Sequence, residues 1–231
     1  MNGLALLGRY FSASLRSQMQ YPASAAMLTL GQLAATAIEI LSIWALFDRF
    51  GPVQGWSLGE VMFFYALIGI SFSFADFLTR GFDVFGAEFV RTGAFDRLLL
   101  RPRSAALQLV GYDFRISRFG RFFQAIIILT IATSMLHFVW TPQAIALAIW
   151  TVAGGVAFFA ALFVLQAVLA FWTVEGLEAI NALTYGGVYA GQFPISVYAR
   201  WFRTLMIFIV PLACVSYFPV LAILEIGRAH V

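Results

Sequence analysis

Long apolar runs separated by short polar breaks dominate the first 172 residues of this 231-residue chain. Ala23–Phe47 is apolar apart from Glu39, and Val61–Thr79 apart from Asp76 near its end; Phe122–Trp140 and Gln143–Trp172 carry no charge. Each is close to or beyond the roughly 20 residues that a helix needs to cross about 30 Å of hydrocarbon. Only Thr141 and Pro142 separate the third run from the fourth, which predicts an antiparallel helical hairpin. Ahead of them, Leu4, Leu7, Tyr10, Phe11 and Leu15 recur at helical spacing beside Arg9 and Arg16. That pattern predicts an amphipathic helix lying on the membrane surface. The arginines interrupt the continuous apolar core that a cleaved signal peptide needs. Trp44, Trp56, Trp140 and Trp172 fall at or beyond the run ends, where the headgroup layer favours amphipathic rings.

Beyond Trp172 the pattern weakens. The stretch 174–193 is moderately apolar but opens with Glu175 and Glu178 and contains Gly186, Gly187 and Gly191. The stretch 204–224 is more apolar but is broken by Pro211 and Pro219. Hydropathy alone makes 204–224 the fifth span. The alternative makes 174–193 the fifth span and turns 204–224 into a re-entrant hairpin packed on protein, since backbone groups freed by proline cannot face lipid.

Composition agrees with a lipid solvent: 62% of residues are hydrophobic and 11% charged, against about 25% charged in soluble domains. Every basic side chain other than two histidines is an arginine; there is no lysine. A nucleotide-binding P-loop cannot be built without its lysine, nor a retinal or pyridoxal Schiff base, so ATPase activity of its own is excluded. Cys214 stands alone in an apolar run, which rules out an intrachain disulfide and predicts a buried, inert thiol. The net charge of +3 gives no reason to expect nucleic acid.

Charge is concentrated instead in one island. Eight of the fourteen arginines and four of the eleven acids fall between Arg80 and Arg121. Two more arginines precede the first run, one lies in Asp48–Glu60, and none in the Thr141–Pro142 turn. By the positive-inside bias, the N-terminus and the 80–121 loop face the cytoplasm. Inside the island Phe82, Phe85 and Phe89 recur at i, i+3, i+7, giving one aromatic face with Asp83, Glu88 and Arg91 around it. Gly93 is placed to end that helix, and Phe95–Arg101 forms a second turn stopped by Pro102. Aromatic anchors ringed by arginine are what a protein interface favours.

With this topology, "VRTGAFDRLLLRPRS" (Val90–Ser104) resembles the cytoplasmic loop of type-2 ABC exporter permeases, and more narrowly that of small bacterial six-span members. The shared pattern is Arg-Thr-Gly, an acid-Arg pair, a leucine run and Arg-Pro. "FPISVYARWFR" (Phe193–Arg203) and "IVPLACVSYFPV" (Ile209–Val220) are similar to stretches at the matching distance downstream. Arg103 departs from an apolar preference and Ala199 from a proline. The resemblance implies an all-α polytopic membrane protein: a bundle of five to six spans with an N-terminal interfacial helix and a coupling loop, in the bacterial inner membrane. It favours 174–193 as the fifth span. It implies a permease subunit of an ATP-binding-cassette exporter that pairs with a second permease, identical or related, and with separate ATPase subunits holding ATP and Mg. It assigns ATPase coupling to a short helix in the 80–121 loop, here Phe85, Phe89, Arg91, Gly93, Asp96, Arg97, Arg101 and Pro102.

The family's last span and basic tail are absent. The closing "EIGRAHV" (Glu225–Val231) is what translation of a common short-read sequencing adapter yields, so residues 1–224 are expected to be one permease domain and 225–231 a non-native tail.

Four further features carry expectations. Glu39 lies mid-span, where an ionisable group costs at least about 2.5–3.5 kcal/mol, so it should face other helices, a substrate path or a subunit seam. Asp76 and Arg80 form an i, i+4 pair that anchors a span end. His137 has no second histidine nearby and predicts no metal site. Gly154–Gly155 permits close helix approach. The rival readings are an ATP-independent transporter or channel, for which only Glu39 speaks, and a structural membrane scaffold.

Overall fold

A computed structural model describes residues 3–112, 114, 116–173 and 177–224. The expectations placed on the 225–231 tail and on Glu175 lie outside the described residues. In chain order the helices are α1 (Gly3–Met19), α2 (Pro22–Phe50), α3 (Leu58–Asp83), α4 (Ala94–Leu99), α5 (Ala105–Val110), α6 (Ile116–Met135), α7 (Pro142–Leu169), α8 (Leu177–Gly191), α9 (Arg200–Thr204), α10 (Leu212–Val215) and α11 (Tyr217–Ile223). π-Helical turns cover Gly86–Val90 and Leu205–Ile209. Among the described residues there is no strand, only an isolated bridge between Val53 and Trp56.

This is an all-α polytopic membrane protein. α2, the helix running from Leu58 to Val90, and α7 are each long and apolar enough to cross a bilayer, and the bent pair Arg200–Ile209 and Leu212–Ile223 makes a fourth if it counts as one crossing. Large apolar side chains such as Met27, Trp150, Phe208 and Ile209 are more than two-thirds exposed. So wide an apolar surface is incompatible with water and requires lipid or another subunit. α6 reaches 20 residues, but Arg118 and Arg121 occupy its opening turns; α8 is described over the 15 residues Leu177–Gly191.

α3 is the centre of the bundle, apolar on all sides and packed between α6 and α7, as expected of a helix without a polar face. Its start is set by a capping box: Glu60 N–H donates to Ser57 Oγ at 3.4 Å, and Ser57 N–H donates to a Glu60 carboxylate oxygen at 2.7 Å. α3 and α7 come together at Gly155, where an added Cβ would lie 2.6 Å from Ser71 Oγ. The neighbouring Gly154 makes only ordinary contact with Val215, so the close approach belongs to Gly155.

Three local predictions are corrected. α6 stops at Met135, and six residues, not two, join it to α7. His137 adopts φ +49°, with its N–H on Ser134 O at 3.2 Å and Phe138 N–H on Thr133 O at 2.9 Å, a left-handed helix stop. Phe138 and Trp140 then fold back onto Phe63. Trp56 does not turn its ring outward: it is buried against Phe64 and Tyr217, and its Nε1–H donates to Ser196 Oγ at 2.8 Å. Cys214 is exposed rather than buried, because it sits on the short α10 at the bend.

That bend is 73°. It follows from Pro211, which supplies no N–H to continue the π-turn before it. Arg203, beside it, donates to the carbonyls of Tyr198 at 2.9 Å and Ser196 at 2.5 Å, so its charge is satisfied within the fold.

Candidate functional site

The 84–112 segment is a small folded unit with its own core. Phe85 and Phe89 are buried with Leu98, Leu109, Ala167 and Ala170. Phe85 packs on Phe95 and Phe171 at ring separations of 5.2 and 5.3 Å, and Phe89 on Tyr112 at 4.8 Å. The predicted aromatic face therefore exists but points inward, seating the loop on the end of α7. Phe85 and Phe89 shape the loop and are not available as outward anchors. Gly93 has φ +69° and stands between the π-turn and α4, a conformation that L side chains resist. α5 is held close to α3 because a Cβ on Gly81 would overlap the Leu109 carbonyl. Gln108 ties the segment together by donating to the carbonyls of Leu98 and Arg103, both at 3.3 Å.

The outer surface of this unit carries the rest of the predicted set. Arg91, Gly93, Asp96, Arg97, Arg101 and Pro102 are all exposed. Between them lie Leu99 and Leu100, the latter 84% exposed, which sequence reasoning passed over. Their signal was the leucine triplet itself: a short helix can bury only one of three successive leucines, here Leu98.

At the root of the loop the Asp76–Arg80 pair is one part of a larger lattice. Arg80 donates to Asp76 at 3.4 Å, to Asp83, and to the Tyr185 hydroxyl at 2.9 Å. The Tyr185 hydroxyl in turn donates to Asp83 Oδ2 at 2.8 Å. Arg118 Nε lies 3.2 Å from Asp76 Oδ2, and Gln166 donates to the Asp83 carbonyl at 3.0 Å. One buried cluster thus links α3, α6, α7 and α8 at the point where α3 passes into the loop. Removing one member of such a cluster leaves the others desolvated and unpaired, which is far costlier than losing a surface pair.

Tyr185 also lines a cavity of about 250 Å³ between α2, α3, α6 and α8. Glu39 faces into it from α2 and accepts a 2.7 Å hydrogen bond from the Tyr65 hydroxyl. Arg121 enters from α6, its guanidinium 5.9 Å from the centre of the Phe72 ring. Exposed Tyr189 stands at the rim. Arg121 thus brings a charge from the opening turns of α6 to a cavity and an aromatic face. Among the described residues no three His, Cys, Asp or Glu side chains could jointly hold a metal ion.

Compared with known proteins, the sequence matches the family described as ABC-2 family transporter protein over residues 33–229. No curated protein and no solved structure matches it significantly.

Proposed function

The chain belongs to the ABC-2 transporter family and is a membrane permease component of an ABC-type transporter; from that premise we propose that it works as an exporter subunit driven by a separate ATPase. The exposed Leu99–Leu100 pair, flanked in the chain by exposed Arg97, Arg101 and Arg103, carries the reading. An apolar tip flanked by cationic side chains is a surface built for a protein groove, whereas a loop that only set topology would need no core of its own. The ATPase would hold ATP and Mg; this chain, without a lysine, contributes neither a P-loop nor its chemistry.

In this mechanism closure of the ATPase moves the loop tip as a body, because the Phe85 and Phe89 core makes the segment stiff. The motion reaches Asp83 at the end of α3, then Tyr185 on α8 and Gln166 on α7 through the lattice, and Arg118 on α6 through Asp76. Tyr185 hands it on to the cavity, which it lines. Two permeases, identical or related, shift together between inward- and outward-facing arrangements. α8 is then the fifth crossing and the bent 200–223 element a re-entrant hairpin. The arginine asymmetry supports a cytoplasmic N-terminus and loop, and the resemblance to small bacterial permeases supports the bacterial inner membrane.

The test is purification from native membranes. The expected result is a co-purifying P-loop ATPase whose activity rises in the complex. Leu99→Asp with Leu100→Asp should abolish that association, while Arg97→Glu should retain part of the complex and uncouple hydrolysis from transport. Association unchanged by the leucine substitutions overturns the docking assignment.

A further inference from the structure

Tyr65 and Phe72 lie two turns apart on α3, which separates them by about 10 Å along the helix axis. Glu39 bonds the first and Arg121 lies over the second. The carboxylate and the guanidinium therefore line one cavity, and they are not within the 4.0 Å of each other that would make an ion pair. Among the described residues no carboxylate pairs with Arg121. The only hydrogen-bond donor to Glu39 among these contacts is the neutral Tyr65 hydroxyl. Two opposite charges in one cavity, each without a counter-ion among the described residues, form a receptor for a molecule that carries both.

We propose that this cavity binds an aminoalkyl phosphate headgroup, with the phosphate on Arg121 and the ammonium on Glu39. A two-carbon bridge keeps phosphate and amine apart, yet short enough for one cavity of this size to take both. A planar guanidinium suits phosphate oxygens, and the Tyr65 and Tyr189 rings offer faces to an ammonium. At about 250 Å³ the cavity holds a headgroup but not acyl chains, since sites for whole drug-sized molecules run about 300–1,000 Å³. Chains have somewhere to go: Ala35 and Tyr189 at the rim are exposed, and Ala35 is shared with an open apolar groove along α2 lined by Met27 and Leu28. As a cargo site this deepens the exporter reading and, through Tyr185, joins it to the lattice. As a binding site it stands without that reading.

The experiment is native mass spectrometry of the purified chain in detergent, without any ATPase, so that a negative result leaves the exporter reading untouched. The probes are dioleoyl phosphatidylethanolamine, dioleoyl phosphatidylglycerol and dioleoylglycerol at equal concentration. The wild type should retain the ethanolamine lipid about tenfold over dioleoylglycerol and clearly over the glycerol phospholipid. Arg121→Gln should lose about tenfold of that retention, with Arg121→Lys keeping most of it and controlling for folding. Glu39→Gln should erase the preference for ethanolamine over glycerol while sparing phosphate-dependent retention. Soluble glycerophosphoethanolamine distinguishes the sources: displacement of the lipid assigns recognition to the headgroup alone, and no displacement assigns it to a lipid in the membrane. Equal retention of all three lipids by the wild type, or unchanged selectivity in both Arg121→Gln and Glu39→Gln, overturns the proposal.

Discussion

α2 and α3 look alike as stretches of sequence: both are long, apolar and interrupted by two or three carboxylates. In the fold they are opposites. Of the most apolar part of the Leu58–Val90 helix 78% is buried, against 17% in α2. α3 meets its neighbours through small side chains, with Gly69 against Ala125 of α6 and Ser71 against Gly155 of α7. α2 offers Leu28, Ile38, Leu41 and Trp44 to its surroundings. In lipid, apolarity is no guide to burial, because the solvent is as apolar as the core. What separates the two helices is how closely another backbone can come.

The contrast can be broken most severely at Gly155. Gly155→Leu should cost more than about 3 kcal/mol and prevent recovery of monodisperse protein, since the side chain has to displace α3 itself. Gly155→Ala combined with Ser71→Gly should recover most of the thermal stability lost by Gly155→Ala alone, measured in detergent. Next comes the lattice at the loop end of α3. Arg80→Gln should lower unfolding stability by about 2 kcal/mol, less than a fully buried pair because Arg118, Tyr185 and Gln166 still hold the two carboxylates. Asp83→Asn added to it should cost little more, which a double-mutant cycle reads directly. Ser57→Ala removes the capping box of α3 and should cost about 1 kcal/mol. The smallest effect belongs to α2: Ile38→Ala or Leu41→Ala should change stability by less than about 0.5 kcal/mol. A large effect there would mean that a second subunit, not lipid, covers this face.

The charged loop divides along the same line between pattern and packing. The i, i+3, i+7 spacing of Phe82, Phe85 and Phe89 correctly implied a shared face, but spacing has no sign. Nothing local says whether such a face meets a partner or the protein's own α7, and Phe171, seventy-six residues beyond Phe95, decided it. Gly93 was readable because its role is local: a left-handed residue between two short helices needs glycine whatever surrounds it. Leu99 and Leu100 were overlooked because only the burial of Leu98 reveals which leucines are left outside.

Glu39 shows the limit most clearly. Its cost in a span forecasts that it must face something, and it does, but its partner Tyr65 sits on another helix. Arg121 was counted only toward topology, though it enters the cavity. Asp76 and Arg80 were legible as a pair because four residues make one helical turn, and Asp83, three residues on, was equally local but was not paired with them; Tyr185, Arg118 and Gln166 join them from places the chain reaches only after folding.

By itself the sequence determined a helical membrane protein, the positions of its longest helices, the site of its charge and the absence of any lysine chemistry, because hydropathy, charge and turn geometry act over a few residues at a time. The tertiary structure alone decided which apolar helix became the core, which way the aromatic loop face turned, and which charges came to share a lattice or a cavity. Those outcomes depend on close approach between distant segments, and no local rule contains that distance.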